Sequence, residues 1–312
     1  MHIDAYLERI AYAGHVRPDL ATLTALHRAH LLAISYENLD VQLGRPVTIE
    51  RAPIVEKMVT NSRGGWCYEM NGLFGWVLAE LGFRVTRSAG AVMREVSGDS
   101  SIGNHLVLKV ELGEGTYLAD VGFGDGSLDP IRVAPGPFSS HGFDFALSHQ
   151  DDGWWRLHNH KGGSAASFDF NLAPADEALL SSKCDWLQTA EQSIFVQNAV
   201  CQRHTEDGLS ILRGRVLREL TPHDHKDHLI ADADEYVSAL DEIFGLRLPE
   251  AASLWPRICA RHEAHLAQKM NLIPSFAPSA RAKSRLCPRS ASRRSRCSPE
   301  AGTRRRFPAP SG

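Results

Sequence analysis

No apolar run in this 312-residue chain approaches the roughly 20 residues needed to cross a bilayer, which excludes a helical membrane protein. The opening MHIDAYLERI has no basic region followed by an apolar stretch, so no secretory leader is expected. Cysteine is scarce and scattered: Cys67, Cys184, Cys201, Cys259, Cys287 and Cys297 include no C-x-x-C pair, which argues against a disulfide framework. No internal repeat is present. What remains is an ordinary globular composition, 43% hydrophobic and 8% aromatic, too rich in apolar residues for a disordered chain.

Charge is unevenly spread. Of 34 basic and 37 acidic residues, ten basic and one acidic (Glu300) fall in 275–312, leaving 24 against 36 in the rest. An acidic body does not suit a nucleic-acid partner, because phosphate binding needs clustered positive charge. The tail itself is rich in Ser, Pro and Arg and is expected to be a solvated, disordered terminus.

The hydrophobic period divides the body. Leu20, Leu23, Leu26, Leu31 and Ile34 have helical spacing behind Pro18, and Pro53 opens a shorter helix through Met58 and Val59. Met70, Phe74, Val77, Leu78 and Leu81 form a third stripe, closed by Gly82. Residues 1–82 therefore read as a helical domain. Beyond it Leu106, Leu108, Val110 and Leu112 alternate with more polar neighbours, as in a strand buried on one face. Further strands are expected at Phe83–Met93, Thr116–Val121, Phe143–Leu147, Trp154–His158 and Ala166–Phe170. Short strands in series make 83–190 an antiparallel sheet or barrel. Residues 191–274 are mixed, with a strand at Ser210–Leu217 and helices at Ala233–Phe244 and Leu254–Met270. The fold class is α+β.

One cysteine has the surroundings of a nucleophile. In Arg63-Gly64-Gly65-Trp66-Cys67 the glycines allow a sharp turn and close approach, and Cys67 opens the third helix. Free amides and partial positive charge at a helix N-terminus favour a thiolate and can hold an oxyanion. A thiolate mechanism needs a base and a group to orient it. His105 at the start of a strand and Asp120 among apolar residues on the next are the candidates. If Gly113–Gly115 is a three-residue loop, Leu112 faces Thr116 and His105 faces Phe123. Asp120 then stands about 10 Å further along the strand, and a triad requires a bulge or another register.

The segments RGGWCYEMNGLF, GNHLVLKVEL and YLADVGFG, in that order, resemble the arylamine N-acetyltransferase family, as do Tyr6–Ile10 and Tyr36–Asp40. The resemblance covers about residues 1–270. It implies a helical bundle, a central β-barrel and a C-terminal α/β lid, with Cys67 acetylated, His105 its base and Asp120 the orienter. The implied reaction is ping-pong transfer from acetyl-coenzyme A to arylamines, arylhydrazines or N-hydroxyarylamines. Val92, Gly122, Phe123 and Gly124 would line the acceptor site, and Asn71 and Gly103 would lie near the pantetheine arm. Glu37 and Arg63 would form an ion pair beneath the nucleophile. Small aromatic substrates, no nucleic acid, no membrane, no metal, a cytoplasmic location and a monomer or weak homodimer complete the expectation. Trp66 departs from many relatives, and the lid matches too loosely to carry coenzyme contacts across.

Two rivals differ in kind. Cys/His/Asp chemistry also serves cysteine-dependent amidases and protease-like hydrolases. Fifteen histidines raise a metal-binding protein. Yet the dense His223–His228 cluster is expected in an exposed loop or at a helix start, and His262–His265 is not an H-E-x-x-H motif. His158 and His160, expected to share a strand face, make only two ligands.

Overall fold

A computed structural model describes residues 3–272. The basic tail expected over 275–312 lies outside these residues.

Helix α1 (Ile3–Arg9) is followed by α2 (Leu20–Ala33), where the Asp19 carboxylate accepts the Thr22 N–H at 2.8 Å as an N-cap. A two-residue strand β1 (Tyr36–Glu37), a turn of helix α3 (Leu39–Gln42) and α4 (Arg51–Val55) lead to the long α5 (Cys67–Glu80). Between α4 and α5 the chain widens into a π-helical turn over Glu56–Thr60. Helix α5 ends where Gly82 adopts φ +89°, a conformation that costs glycine little. Leu23, Leu26, Met70, Phe74, Val77 and Leu78 pack with Leu108 and Val110 into the first core. Gly75 lets α5 approach the sheet, for a Cβ there would stand 2.9 Å from a Leu108 methyl.

Eight antiparallel strands follow: β2 (Arg84–Val92), β3 (His105–Leu112), β4 (Gly115–Leu118), β5 (Ile131–Arg132), β6 (Gly136–Ser140), β7 (Phe143–His149), β8 (Trp155–His158) and β9 (Ser167–Phe170). A short helix α6 (Arg94–Ser97) interrupts β2 and β3. Their order is β5-β4-β3-β2-β9-β8-β7-β6. The expected barrel is thus a curled sheet whose ladder starts at β5 and stops at β6 without closing between them.

Helices α7 (Glu177–Thr189) and α8 (Ile194–Gln197) lead to a second sheet made of β10 (Val200–His204), β11 (Leu209–Arg213), β12 (Val216–Leu220) and β13 (His225–Leu229). Its other edge is β1, which pairs Tyr36 with Gln202 and Glu37 with Cys201. The strand expected over Ser210–Leu217 is in fact a hairpin, because Gly214 at φ +58° turns the chain between β11 and β12. Helices α9 (Ala233–Glu242) and α10 (Trp255–Leu272) end the described residues, with Tyr236, Leu240 and Leu254 packing on Leu212 and Leu217. Leu209 and Leu220 reach the other way, into a core with Val107, Leu157, Phe168 and Phe170 of the larger sheet.

Candidate functional site

The turn before α5 is built by close backbone approach. A Cβ on Gly64 would collide with the Ser35 carbonyl, and one on Gly65 would come within 2.8 Å of the Glu69 side chain. Glu69 at the third helical position accepts the Trp66 N–H at 3.2 Å and so caps the helix. Cys67 then begins α5, buried, with its thiol 4.0 Å from the Asn104 carbonyl. Burial pushes the thiol pKa up, and the Leu106 and Tyr68 amides facing the sulfur only partly oppose it. The sequence-based expectation pairs this helix terminus with a base that takes the thiol proton.

The candidate base, His105, is on the adjacent strand β3. His105 Nε2 lies 2.7 Å from Asp120 Oδ2, both side chains buried. A carboxylate accepts, so Nε2 carries the hydrogen and Nδ1 is left to take a proton. Leu112 pairs with Gly115 and Lys109 with Leu118, so the loop has two residues, Gly113 and Glu114, rather than three. Strand β4 ends at Leu118, so Asp120, expected on that strand, lies instead in the connection just after it, where Asn71 and the Gly122 N–H hold its carboxylate against His105.

Asp120 is fixed from three sides. Its Oδ1 accepts Asn71 Nδ2 at 2.6 Å and the Gly122 N–H at 2.9 Å, while His105 holds Oδ2. Burial alone would raise its pKa, but His105, Asn71 and Gly122 outweigh it and keep the carboxyl below its ordinary value. Asn71 also donates to the Leu106 carbonyl at 2.6 Å and accepts the Val121 N–H at 2.9 Å. Asn71 has no exposed surface, and its amide is committed to these internal partners. Gly103 is buried at φ +84°, its carbonyl accepts the Tyr68 hydroxyl at 2.6 Å, and α7 lies against it through Leu179 and Lys183.

Beneath the nucleophile lies a charge network. Arg63 contacts Glu37 at 2.6 Å and Asp40 at 3.2 Å, and Lys57 contacts Asp40 and Glu69 at 2.9 Å each. Burial would lower the Lys57 pKa, but the carboxylates of Glu69, Glu37 and Asp40 more than reverse this and raise it. The predicted Glu37–Arg63 pair is thus one edge of a five-residue cluster that grips α5 through its capping residue. A polar cavity of about 510 Å³ opens beside this cluster. Asp40, Lys57 and Glu69 lacked any local sign in the sequence, although a Glu three residues after an N-cap is a recognisable capping pattern.

On the other side of His105 is an aromatic wall. Phe123 and Phe168 stand 5.6 and 5.0 Å from the imidazole, ring centre to ring centre, and 4.7 Å from each other. Val92 packs in the same cluster and donates its N–H to Asn104 Oδ1 at 2.8 Å. Gly122 presses on the nucleophile itself, for a Cβ there would lie 2.9 Å from the Cys67 Cα. Gly124 takes φ +81° against the Gln202 side chain. Phe168 was read only as a strand residue; no motif marks it.

The histidines are dispersed. His225 and His228 lie on β13, an exposed edge strand rather than the expected loop or helix start, and their positions alternate to opposite faces. His158 stays exposed on β8, whereas His160 lies past the strand, buried, bonded to the Asp125 carbonyl. Among the described residues no group of three His, Cys, Asp or Glu is placed to hold a metal ion. Among them also, no helix is long and apolar enough to cross a membrane.

Known proteins resemble this chain in sequence and fold. A family model described as N-acetyltransferase matches residues 19–253. The arylamine N-acetyltransferase of Mycolicibacterium smegmatis is 35% identical over 269 residues, covering 81% of this chain and 94% of the relative. The arylamine N-acetyltransferase of Escherichia coli K12 is 31% identical over 254 residues, covering 80% and 90%. Among solved structures, Mycobacterium marinum arylamine N-acetyltransferase in complex with CoA superposes with a TM-score of 0.74 at 32% identity, over 83% of this chain and 97% of that one.

Proposed function

The chain belongs to the arylamine N-acetyltransferase family, and on that premise we propose that Cys67, His105 and Asp120 carry its acetyl transfer. The acceptors are arylamines, the donor is acetyl-coenzyme A, and membership of a transferase family sets the hydrolase rival aside.

His105 Nδ1 takes the Cys67 proton, giving a thiolate beside an imidazolium. The thiolate attacks the acetyl carbonyl of acetyl-coenzyme A. A carbon–sulfur bond forms to Cys67, the bond to the coenzyme sulfur breaks, and the imidazolium returns its proton to the departing thiolate. The acceptor nitrogen then attacks the acetyl-Cys67 thioester. His105 receives a proton from that nitrogen, and the cysteine leaves as the thiolate. Asp120 keeps Nε2 protonated and aimed away from the sulfur throughout, so the nitrogen facing the reaction is the one without a hydrogen. Val92 and Phe123 offer an apolar, aromatic surface to an aryl ring, with Phe168 packed behind Phe123.

The observation that carries this reading is the 2.7 Å His105–Asp120 contact, held by Asn71, on the strand beside the Cys67 helix. A cytoplasmic location accompanies it, since a free thiolate and an acetyl-coenzyme A donor belong to a reducing compartment. The test is mass spectrometry after mixing with acetyl-coenzyme A alone. One acetyl group should appear on the peptide containing Cys67, be discharged by an added arylamine, and be absent from Cys67→Ala. Asp120→Asn should acetylate on the order of 10⁴-fold more slowly, as expected when the orienting carboxylate of such a triad is lost. Full activity in Asp120→Asn would remove the orienting role.

A further inference from the structure

Asp125 is completely buried, yet the donors that reach its carboxylate are neutral. The Ser164 N–H and hydroxyl both point to Oδ2, Asn159 Nδ2 reaches Oδ1 at 3.2 Å, and Gln202 Nε2 stands 3.4 Å from Oδ2. Gln202 also donates to the Ser164 hydroxyl at 2.6 Å. Burying an ionisable carboxylate among uncharged partners is costly, and the donors converge from elements far apart in the chain. Gln202 belongs to β10 of the smaller sheet, while Asn159 and Ser164 belong to the connection between β8 and β9 of the larger one.

The backbone of Asp125 is held as firmly. Its N–H donates to the Phe123 carbonyl at 3.1 Å, closing a tight turn, and its own carbonyl accepts His160 Nε2 at 3.0 Å. Between the two residues sits Gly124, where any side chain would collide with Gln202 Oε1. Phe123, whose ring faces His105 and Phe168, therefore takes its position from Asp125 and the groups that bind it.

We infer that Asp125 is a positioning residue for the acceptor half of the reaction, setting Phe123 as a fixed wall through Ser164 and Gln202. This rests on the transferase reading and deepens it. The carboxylate touches none of Cys67, His105 and Asp120 among its hydrogen-bond partners, so it should govern how an aryl ring is seated rather than how the thiol is acetylated. Releasing the wall weakens acceptor binding and blurs discrimination between one-ring and two-ring acceptors.

The ping-pong sequence lets the halves be measured apart. Wild type, Asp125→Asn and Ser164→Ala are mixed with acetyl-coenzyme A alone, and acetylation of Cys67 is followed. The acetylated forms are then discharged with phenylhydrazine or 2-naphthylhydrazine. Loss of a buried hydrogen-bond partner should raise the phenylhydrazine KM about 10-fold in both variants, with acetylation altered less than about 2-fold. The preference between the two acceptors should shrink as well. Should Asp125→Asn not fold, Ser164→Ala, which removes one hydroxyl only, reads the same split. If both halves slow together, or neither changes, the positioning role is overturned. Absence of any acetyl uptake by wild type would instead overturn the transferase reading, and this inference with it.

Discussion

Asn71 Nδ2 lies 2.6 Å from Asp120 Oδ1, joining the helix that begins with Cys67 to the loop that carries the carboxylate. The same amide binds Leu106 and Val121, so one side chain ties α5, β3 and the segment after β4 together. The relative placement of sulfur, imidazole and carboxylate is therefore fixed by a residue that reacts with nothing.

Replacing it tests that dependence. Asn71→Ala leaves the Leu106 carbonyl, the Val121 N–H and one Asp120 bond without partners. Burying such groups unpaired should cost about 2–4 kcal/mol in urea unfolding. Cys67 acetylation should slow in the folded fraction as Asp120 loses its anchor. An Asn71→Ala protein of unchanged stability and rate would mean that Gly122 and His105 hold the carboxylate unaided.

Gly122 makes a steric prediction. A Cβ there meets Asn71 Nδ2 at 2.6 Å and the Cys67 backbone at 2.9 Å. These neighbours belong to a buried helix that cannot yield without moving the nucleophile. Gly122→Ala should lower kcat/KM by on the order of 10²-fold, as a misplaced reacting group does. Thermal stability should fall too. Steady-state kinetics and a melting curve decide, and an alanine variant with wild-type values would refute the tight packing.

Acid should unfold the protein through buried histidines. Burial pushes His204 down to about 3, and neither ring nitrogen has a hydrogen-bond partner in the protein. His27 and His30 are lowered too, both chiefly by burial. In the unfolded chain these rings take a proton below about pH 6.5. The folded state refuses it, so stability falls as pH drops from about 6.5 toward 3, by on the order of 4 kcal/mol for His204 alone. Asp120, with its depressed pKa, acts in the same direction at the lower end of that range. Urea midpoints across this window should be flatter for His204→Phe than for wild type. Parallel curves would mean that another group carries the acid sensitivity.

Local chemistry was the most readable part of the sequence. The Gly-Gly turn before Cys67 and the helical stripe behind it follow from neighbours within a few positions, and α5 begins and ends within a residue or two of the expected limits. The strand register did not. The Gly113–Glu114 loop is one residue shorter than the three-residue reading, and β4 stops at Leu118, so Asp120 meets His105 from a connection rather than from a paired strand. A single Gly214 between Arg213 and Arg215 likewise gave little local sign that Ser210–Leu217 is a hairpin. Long-range polar partners were hidden for another reason. Asn71 and Asp125 take their meaning from groups brought close only by the folded sheets.

The thiol itself supplies the sharpest test of the mechanism. Burial raises the Cys67 pKa, and the helix amides do not reverse it. On the proposed mechanism the thiolate at neutral pH comes from proton transfer to His105, which Asp120 orients. Alkylation of Cys67 by iodoacetamide should stay fast in wild type well below the free-thiol pKa of about 8.5. In His105→Gln the sulfur keeps its burial and its amides but loses the proton acceptor. Its alkylation should become slow at neutral pH and rise only above about pH 8.5, as for a thiol in apolar surroundings. If instead both proteins gave the same pH profile, the thiolate would owe nothing to the imidazole. The helix terminus would then be the source of the activation.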